Sequence, residues 1–211
     1  MGVLANIRND YNLSILSEED VLRNPIEQSS KWLEEAIAHK ITEPTAMNLS
    51  TVSQNGRPSS RIVLLKEIAS DGFVFFTNYS SKKGQELFAN PLAAITIFWK
   101  ELERQIRIEG KIEKIPPQES DLYYYSRPLG SRIGAIVSPQ SQVISDRSIL
   151  ENKVKLLEQK PEKEIIRPEN WGGYKLIPDY IEFWQGRKNR LHDRLVFTWK
   201  ENSWTLERLA P

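Results

Sequence analysis

Turn-forming dipeptides recur so often along this chain that the segments between them have room for strands and little else. Asn55-Gly56 separates two strand-like runs, Ala46 to Ser53 and Arg57 to Glu67, and is the strongest short hairpin signal a sequence carries. Asp71-Gly72 precedes the run Phe73 to Asn78, and Asn90-Pro91 precedes Leu92 to Trp99. Pro116-Pro117 closes Arg104 to Ile115, in which Ile106, Ile108 and Ile112 alternate. Strand character returns at Trp171 to Tyr174, then at Tyr180 to Trp184, Leu195 to Lys200 and Ser203 to Leu209. Helical spacing is confined to short pieces. Asn24-Pro25 caps a helix carrying Trp32, Leu33, Ala36 and Ile37 on one face, with His39 at its exposed end. Ser80 to Phe88, Asp121 to Arg127, Ser131 to Val137 and Arg147 to Lys160 supply the others. The expected fold is mainly β with peripheral α-helices: an antiparallel sheet closed or partly closed into a barrel, one domain over residues 1–211. Residues 1–20 read as a flexible arm.

Composition removes several classes of function. Lys and Arg total 29 against 28 Asp and Glu, a net charge of +1, so long-range attraction to nucleic acid is not encoded. There is no cysteine and there are two histidines, which leaves no thiolate or His-rich metal centre. Met1 to Tyr11 lacks an apolar signal-peptide core, and no run is long and apolar enough to cross a bilayer. The expectation is a cytoplasmic protein with no membrane partner.

Against that neutral background, cations gather locally. Trp184 to Arg194 holds a tryptophan, His192 and the basic residues Arg187, Lys188, Arg190 and Arg194 within eleven positions. Guanidinium forks match phosphate oxygens, and an imidazole exchanges protons near neutral pH. Arg61-Ile62-Val63-Leu64-Leu65-Lys66 is an apolar strand bracketed by cations; alternation sends Arg61 and Lys66 to opposite faces unless the strand ends there. They serve two anions, or one is an edge-strand charge that discourages aggregation. Lys82-Lys83 near a helix N-terminus is either a phosphate cradle or a solvated pair. Tyr123, Arg127 and Ser131 place phenol, guanidinium and hydroxyl donors within nine residues, suited to a phosphate monoester or simply to packing. No G-x-G-x-x-G, P-loop or G-x-S-x-G motif is present.

These segments together resemble the pyridoxamine 5′-phosphate oxidase family, flavin mononucleotide (FMN) enzymes that make pyridoxal 5′-phosphate. The likeness runs from the helix at Trp32 to Pro211 and rests on R-I-V-L-L-K at 61–66, E-R-Q at 103–105, S-R-P at 126–128 and E-F-W-Q-G…R-L-H-D-R at 182–194. It implies an FMN-binding split β-barrel and a homodimer with flavin at the subunit interface. By motif, the flavin contacts would be Arg61, Ile62, Val63, Leu64, Leu65, Lys66, Phe76, Thr77, Lys82, Lys83, Gln105, Gln140, Ser141, Trp184 and Arg194. Substrate phosphate would fall to Lys66, Tyr123, Arg127 and Ser131, with Arg190 and His192 beside the reacting carbon and Arg8 and Tyr11 on a covering arm. Two positions depart from the pattern: Phe76 stands where tyrosine occurs in the family, and Lys82 where arginine is familiar.

The implied reaction is oxidation of the C4′ carbon of pyridoxamine or pyridoxine 5′-phosphate, with O2 as acceptor and hydrogen peroxide as by-product, in vitamin B6 biosynthesis and salvage. His192 is the expected proton carrier, and Arg190 the residue that orients substrate. Competing expectations are a related flavoprotein with another substrate, a non-catalytic carrier of flavin or pyridoxal phosphate, and a barrel that binds single-stranded nucleic acid. The last is disfavoured by the near-neutral charge.

Overall fold

The computed structural model describes Asn6 and residues 10–211, and contains nine strands and five α-helices among them. In chain order these are α1 (Pro25–Ala38), β1 (Ala46–Val52), β2 (Pro58–Leu64), β3 (Glu67–Ala69), β4 (Gly72–Asn78), α2 (Lys82–Ala89), β5 (Leu92–Trp99) and β6 (Arg104–Lys114). Then come α3 (Pro117–Ser126), α4 (Leu129–Val137), α5 (Ser148–Glu158), β7 (Trp171–Gln185), β8 (Asp193–Lys200) and β9 (Ser203–Arg208). All pairings are antiparallel, in the order β2-β1-β5-β6-β7-β4-β3, with β8 and β9 added beside β7.

Two features turn this sheet into a split barrel. Its outer strands β2 and β3 are successive stretches of one segment. Leu65 N–H donates to Thr45 carbonyl on the β1 side, and Lys66 N–H to Val74 carbonyl on β4, so the two edges meet at Leu65–Lys66. The expected single strand from Arg57 to Glu67 is therefore broken there. Strand β7 then divides its partners: residues 171–176 pair with β4, and residues 180–185 with β8, while β6 runs along both halves. The sequence suggested two separate strands here. They are one, because a register shift at Glu109/Gly110 opposite Pro178 absorbs the proline that cannot donate to the ladder.

Inside lie Met47, Leu49, Phe73, Phe75, Ile95, Ile97, Ile106, Ile108, Ile181, Phe183 and Phe197, contributed at every second position by the strands. Helix α1 starts on an Asn24 side chain that accepts from Ile26 N–H, and seats Trp32 edge-on against Phe183. The exposed His39 caps its C-terminus.

Residues 10–20 carry almost no regular structure yet are seated on the barrel rather than free of it. Glu103 Oε2 accepts from Asn12 and Leu13 N–H at 2.8 and 2.9 Å, Leu16 is buried, and Leu16 N–H donates to Asp193. No helix among the described residues is long and apolar enough to cross a membrane.

Candidate active site

The break at Leu65–Lys66 places the ends of β2, β4, α2, α3 and α4 around one cavity of about 990 Å³. That is the upper end of the range for small-molecule sites. Fourteen of the residues singled out from sequence line it: Arg61, Ile62, Val63, Leu64, Lys66, Phe76, Thr77, Lys82, Lys83, Tyr123, Arg127, Ser131, Gln140 and Ser141. Since β2 ends at Leu64, Arg61 and Lys66 both reach this space despite their parity. Leu65 is the exception within the motif; its side chain is buried in the core, which leaves only its backbone near the cavity.

At one end, α2 begins on Ser81, whose hydroxyl accepts from Gly84 N–H, and its first turn projects Lys82 and Lys83. The free N–H groups of that turn add a partial positive charge. Lys83 Nζ lies 3.0 Å from Thr77 Oγ1 and 3.2 Å from Gln140 Oε1. Burial, reinforced by the neighbouring Arg61 cation, lowers its pKa from 10.5 to about 8. Arg61 is fixed by Leu49 carbonyl, Thr51, Ser59 and the buried carboxylate of Glu86. Burial would raise the Glu86 pKa, but hydrogen bonds from Thr51 and Ser59 and the Arg61 and Lys82 charges hold it below the usual carboxylate range.

At the other end, Tyr123 from α3 and Arg127 just beyond it face the space with Lys66 and Ser131. Arg127 Nη1 is buried without a hydrogen-bond partner among the described residues. Leaving a buried charged donor unpaired costs about 1–3 kcal/mol or more, so an anion seated here relieves a penalty built into the protein. Phe76 stacks on Tyr123 with ring centroids 3.9 Å apart. Phe76 thus offers an apolar face that steadies its neighbour.

The remaining candidates form a second group. Register places Phe98, Gln105, Trp184 and Arg194 opposite one another in a single row across β5, β6, β7 and β8. Beside them Tyr11, Trp184 and His192 make an aromatic cluster, with centroids 4.7–5.8 Å apart. None of these lines the cavity. Gln105 lies three strands from β2, on the order of 14 Å across a flat sheet. Strand parity puts Ile62 and Leu64 of the cavity wall on the same outward face as this row, and Ile62, Leu64 and Phe98 are all exposed.

Within this group Arg194 forms a fork on Glu182, at 2.8 and 2.9 Å, while its Nη1 donates to Ala210 carbonyl. Arg190 is exposed, on a turn where Asn189 and Arg190 both have positive φ, 57° and 62°. Arg187 N–H donates to His192 Nδ1 at 3.1 Å, so that nitrogen is the acceptor and the ring proton belongs on Nε2. Burial and the Arg190 cation lower the His192 pKa, which keeps the ring neutral near pH 7. In this arrangement His192 offers a hydrogen-bond donor rather than a free base. Arg8 lies outside the described residues.

Sequence reasoning passed over Ser59, Ser138 and Trp171, which also line the cavity, and Glu86 behind it. Glu86 was legible as the i+4 partner of Lys82. Trp171 carried no local signal beyond opening a strand.

Residues 33–160 match the family model described as pyridoxamine 5′-phosphate oxidase, and residues 171–211 match the pyridoxine 5′-phosphate oxidase C-terminal dimerisation region. The pyridoxine/pyridoxamine 5′-phosphate oxidase of Mannheimia succiniciproducens is 53% identical over 208 residues, 99% of each chain. Among solved structures, PhzG from Burkholderia lata, in complex with tetrahydrophenazine-1-carboxylic acid, superimposes with TM-score 0.87 at 30% identity, covering 94% of this chain and 99% of its own. A pyridoxamine 5′-phosphate oxidase-related, FMN-binding protein from Nostoc punctiforme shares the fold, with TM-score 0.68 at 19% identity over 84% of this chain and 96% of its own.

Proposed function

Because the chain belongs to the pyridoxamine 5′-phosphate oxidase family, we propose that it oxidises the C4′ carbon of pyridoxamine 5′-phosphate and pyridoxine 5′-phosphate to give pyridoxal 5′-phosphate. It is an oxidoreductase whose cofactor is FMN. When bound, FMN supplies the two-electron acceptor that no amino-acid side chain provides. Hydride leaves C4′ and a proton leaves the attached oxygen or nitrogen. In the amine case water then displaces ammonia, and O2 takes up the electrons to end as hydrogen peroxide. The setting is vitamin B6 biosynthesis and salvage in the cytoplasm, with residues 1–211 acting as one unit.

The observation that carries this reading is one cavity lined by cations toward both ends, Arg61, Lys82 and Lys83 at one and Lys66 and Arg127 at the other. Arg61, Lys82 and Lys83, with Thr77, Gln140 and Ser141, would hold the FMN phosphate; Ile62, Val63, Leu64, Lys66 and Phe76 would flank the rest of the cofactor. Lys82 would act as a point charge where arginine would form a fork. Lys66, Tyr123, Arg127 and Ser131 would hold the substrate phosphate, an acceptor for the orphaned Arg127 donor. Anchoring the remote phosphate lets binding energy fix C4′ in place for reaction. The second group belongs to the same chemistry if two copies associate, so that Gln105, Trp184 and Arg194 of one close over the cofactor of the other. Arg190 and His192 would then reach substrate: the arginine orients it, and the histidine donates from Nε2 while the departing proton goes to water. Tyr11, with Arg8, would cover the opening.

The purified protein should be yellow, and pyridoxine 5′-phosphate added without oxygen should bleach the flavin band, with aeration restoring it. A colourless protein that takes up no FMN, or a holoprotein that pyridoxine 5′-phosphate leaves coloured, would overturn the assignment. The bleaching also separates an enzyme from a carrier.

A further inference from the structure

We propose that Trp171 is a positioning residue for the substrate phosphate, its indole holding Arg127 and Tyr123 so that both present their donors to the same anion. The proposal rests on the reading of the Tyr123–Ser131 end of the cavity as a phosphate site.

The Arg127 guanidinium carbon lies 4.7 Å from the Trp171 ring centroid, within cation–π range. A guanidinium stacked by its face keeps its N–H groups free in the plane of the fork, where a phosphate oxygen needs them. No carboxylate is paired with Arg127 among the described residues, so the aromatic face is what stands against its charge. The Tyr123 ring is nearly parallel to Trp171, at 7° and 6.2 Å, and Phe76 lies close to parallel with both. Phe76, Tyr123 and Trp171 therefore make one aromatic wall with Arg127 upon it.

Trp171 is itself held firmly. It is 6% exposed, it opens β7 opposite Asn78, and its carbonyl accepts from Arg167 Nη1 at 2.7 Å. Arg167 also pairs with Asp121 of α3 at 2.6 Å, which ties the start of β7 to the helix that carries Tyr123. Gly172 and Gly173 permit that approach: a Cβ on Gly172 would strike the Tyr79 hydroxyl and the Ser120 side chain. Ser120 Oγ accepts from Gly173 N–H at 3.1 Å. Helix α3, strand β7 and the aromatic wall are thus one assembly whose open side is the phosphate end.

The test uses FMN-loaded Trp171→Met and Trp171→Phe proteins, titrated with pyridoxal 5′-phosphate and with pyridoxal, binding read from the flavin spectrum. FMN affinity of each apoprotein serves as the check on folding. Trp171→Met is expected to raise the Kd for pyridoxal 5′-phosphate about tenfold, the scale of a lost desolvated cation–π contact. Pyridoxal and FMN affinities should stay within about twofold, and Trp171→Phe, which keeps an aromatic face, should lose about threefold or less. An unchanged Kd for pyridoxal 5′-phosphate in Trp171→Met overturns the proposal, as does an equal loss for pyridoxal, pyridoxal 5′-phosphate and FMN. Should Trp171→Met fail to accumulate, Trp171→Leu, which also lacks an aromatic face, takes its place with the same expected and overturning outcomes. A wild-type holoprotein that binds no pyridoxal 5′-phosphate sinks the reading of the site and this proposal with it.

Discussion

Lys83 shows how one side chain can report whether an anion is present. The residue is 7% exposed, its ammonium is held by a threonine hydroxyl and a glutamine oxygen with no carboxylate partner among the described residues, and its pKa falls to about 8. The unfolded chain would keep this proton up to about pH 10.5. In the apoprotein the buried charge therefore lowers stability most fully below pH 8, and that cost fades as pH climbs from 8 toward 10.5. A bound phosphate reverses the preference, because the anion favours the ammonium. Above pH 8 binding must first take up a proton, so FMN affinity should fall by up to tenfold per pH unit. Below pH 8 this lysine contributes no such slope. Fluorescence titration of the apoprotein with FMN from pH 7 to 10 checks this, and Lys83→Arg, which stays charged throughout, should remove the alkaline loss. The same loss in the arginine variant would mean that some other group titrates.

At the scale of elements, Gly110 determines whether β7 can exist as one strand. Pro178 sits opposite it where the β6–β7 register shifts, and a Cβ on Gly110 would collide with the Ile177 carbonyl oxygen and the Pro178 backbone. Gly110→Ala should cost about 2 kcal/mol, as other over-packed sites do, or roughly 4–8 °C in melting temperature for a domain of this size. Thermal unfolding of the holoprotein measures it; an unchanged midpoint would show that the bulge yields easily. This junction is also where local sequence reading stopped short. Hairpin dipeptides, alternating isoleucines and helix caps are local signals, and they located strands and helices to within a few residues. Pro178 falls in the gap between the two strand runs read there, and a proline is a local reason for such a gap. Its resolution by Gly110, 68 residues earlier, is a tertiary fact. The site divides in the same way. Arg61, Lys83 and Arg127 were legible as cations in suggestive runs, whereas Trp171 became visible only when β7 brought it under Arg127.

Over the whole molecule, candidate residues fall into two groups that a single copy does not unite. The cavity holds Arg61, Lys66, Lys83 and Arg127; Gln105, Trp184, Arg190 and His192 lie elsewhere on the chain. Exposed Ile62, Leu64 and Phe98 occupy the sheet face between them, apolar surface suited to burial against a second copy. The residues that match the family's C-terminal dimerisation region, 171–211, include most of the second group. In a two-fold dimer each site would combine the cavity of one copy with the second group of the other. Arg127→Ala, chiefly through substrate affinity, and Arg190→Ala, through turnover as well, should each lose most of kcat/KM as pure proteins, by removing a charge from opposite halves of every site. In a mixed dimer one site gathers both defects and the other gathers none. Random assembly makes about half of all dimers mixed, so co-expressing the two variants should restore about a quarter of wild-type kcat/KM per subunit, read at substrate well below KM. Tagging the subunits differently and isolating the mixed dimer should raise the figure to about a half. If both groups served the same copy, every site in every mixture would keep a defect, and the mixed dimer would be as inactive as its parents.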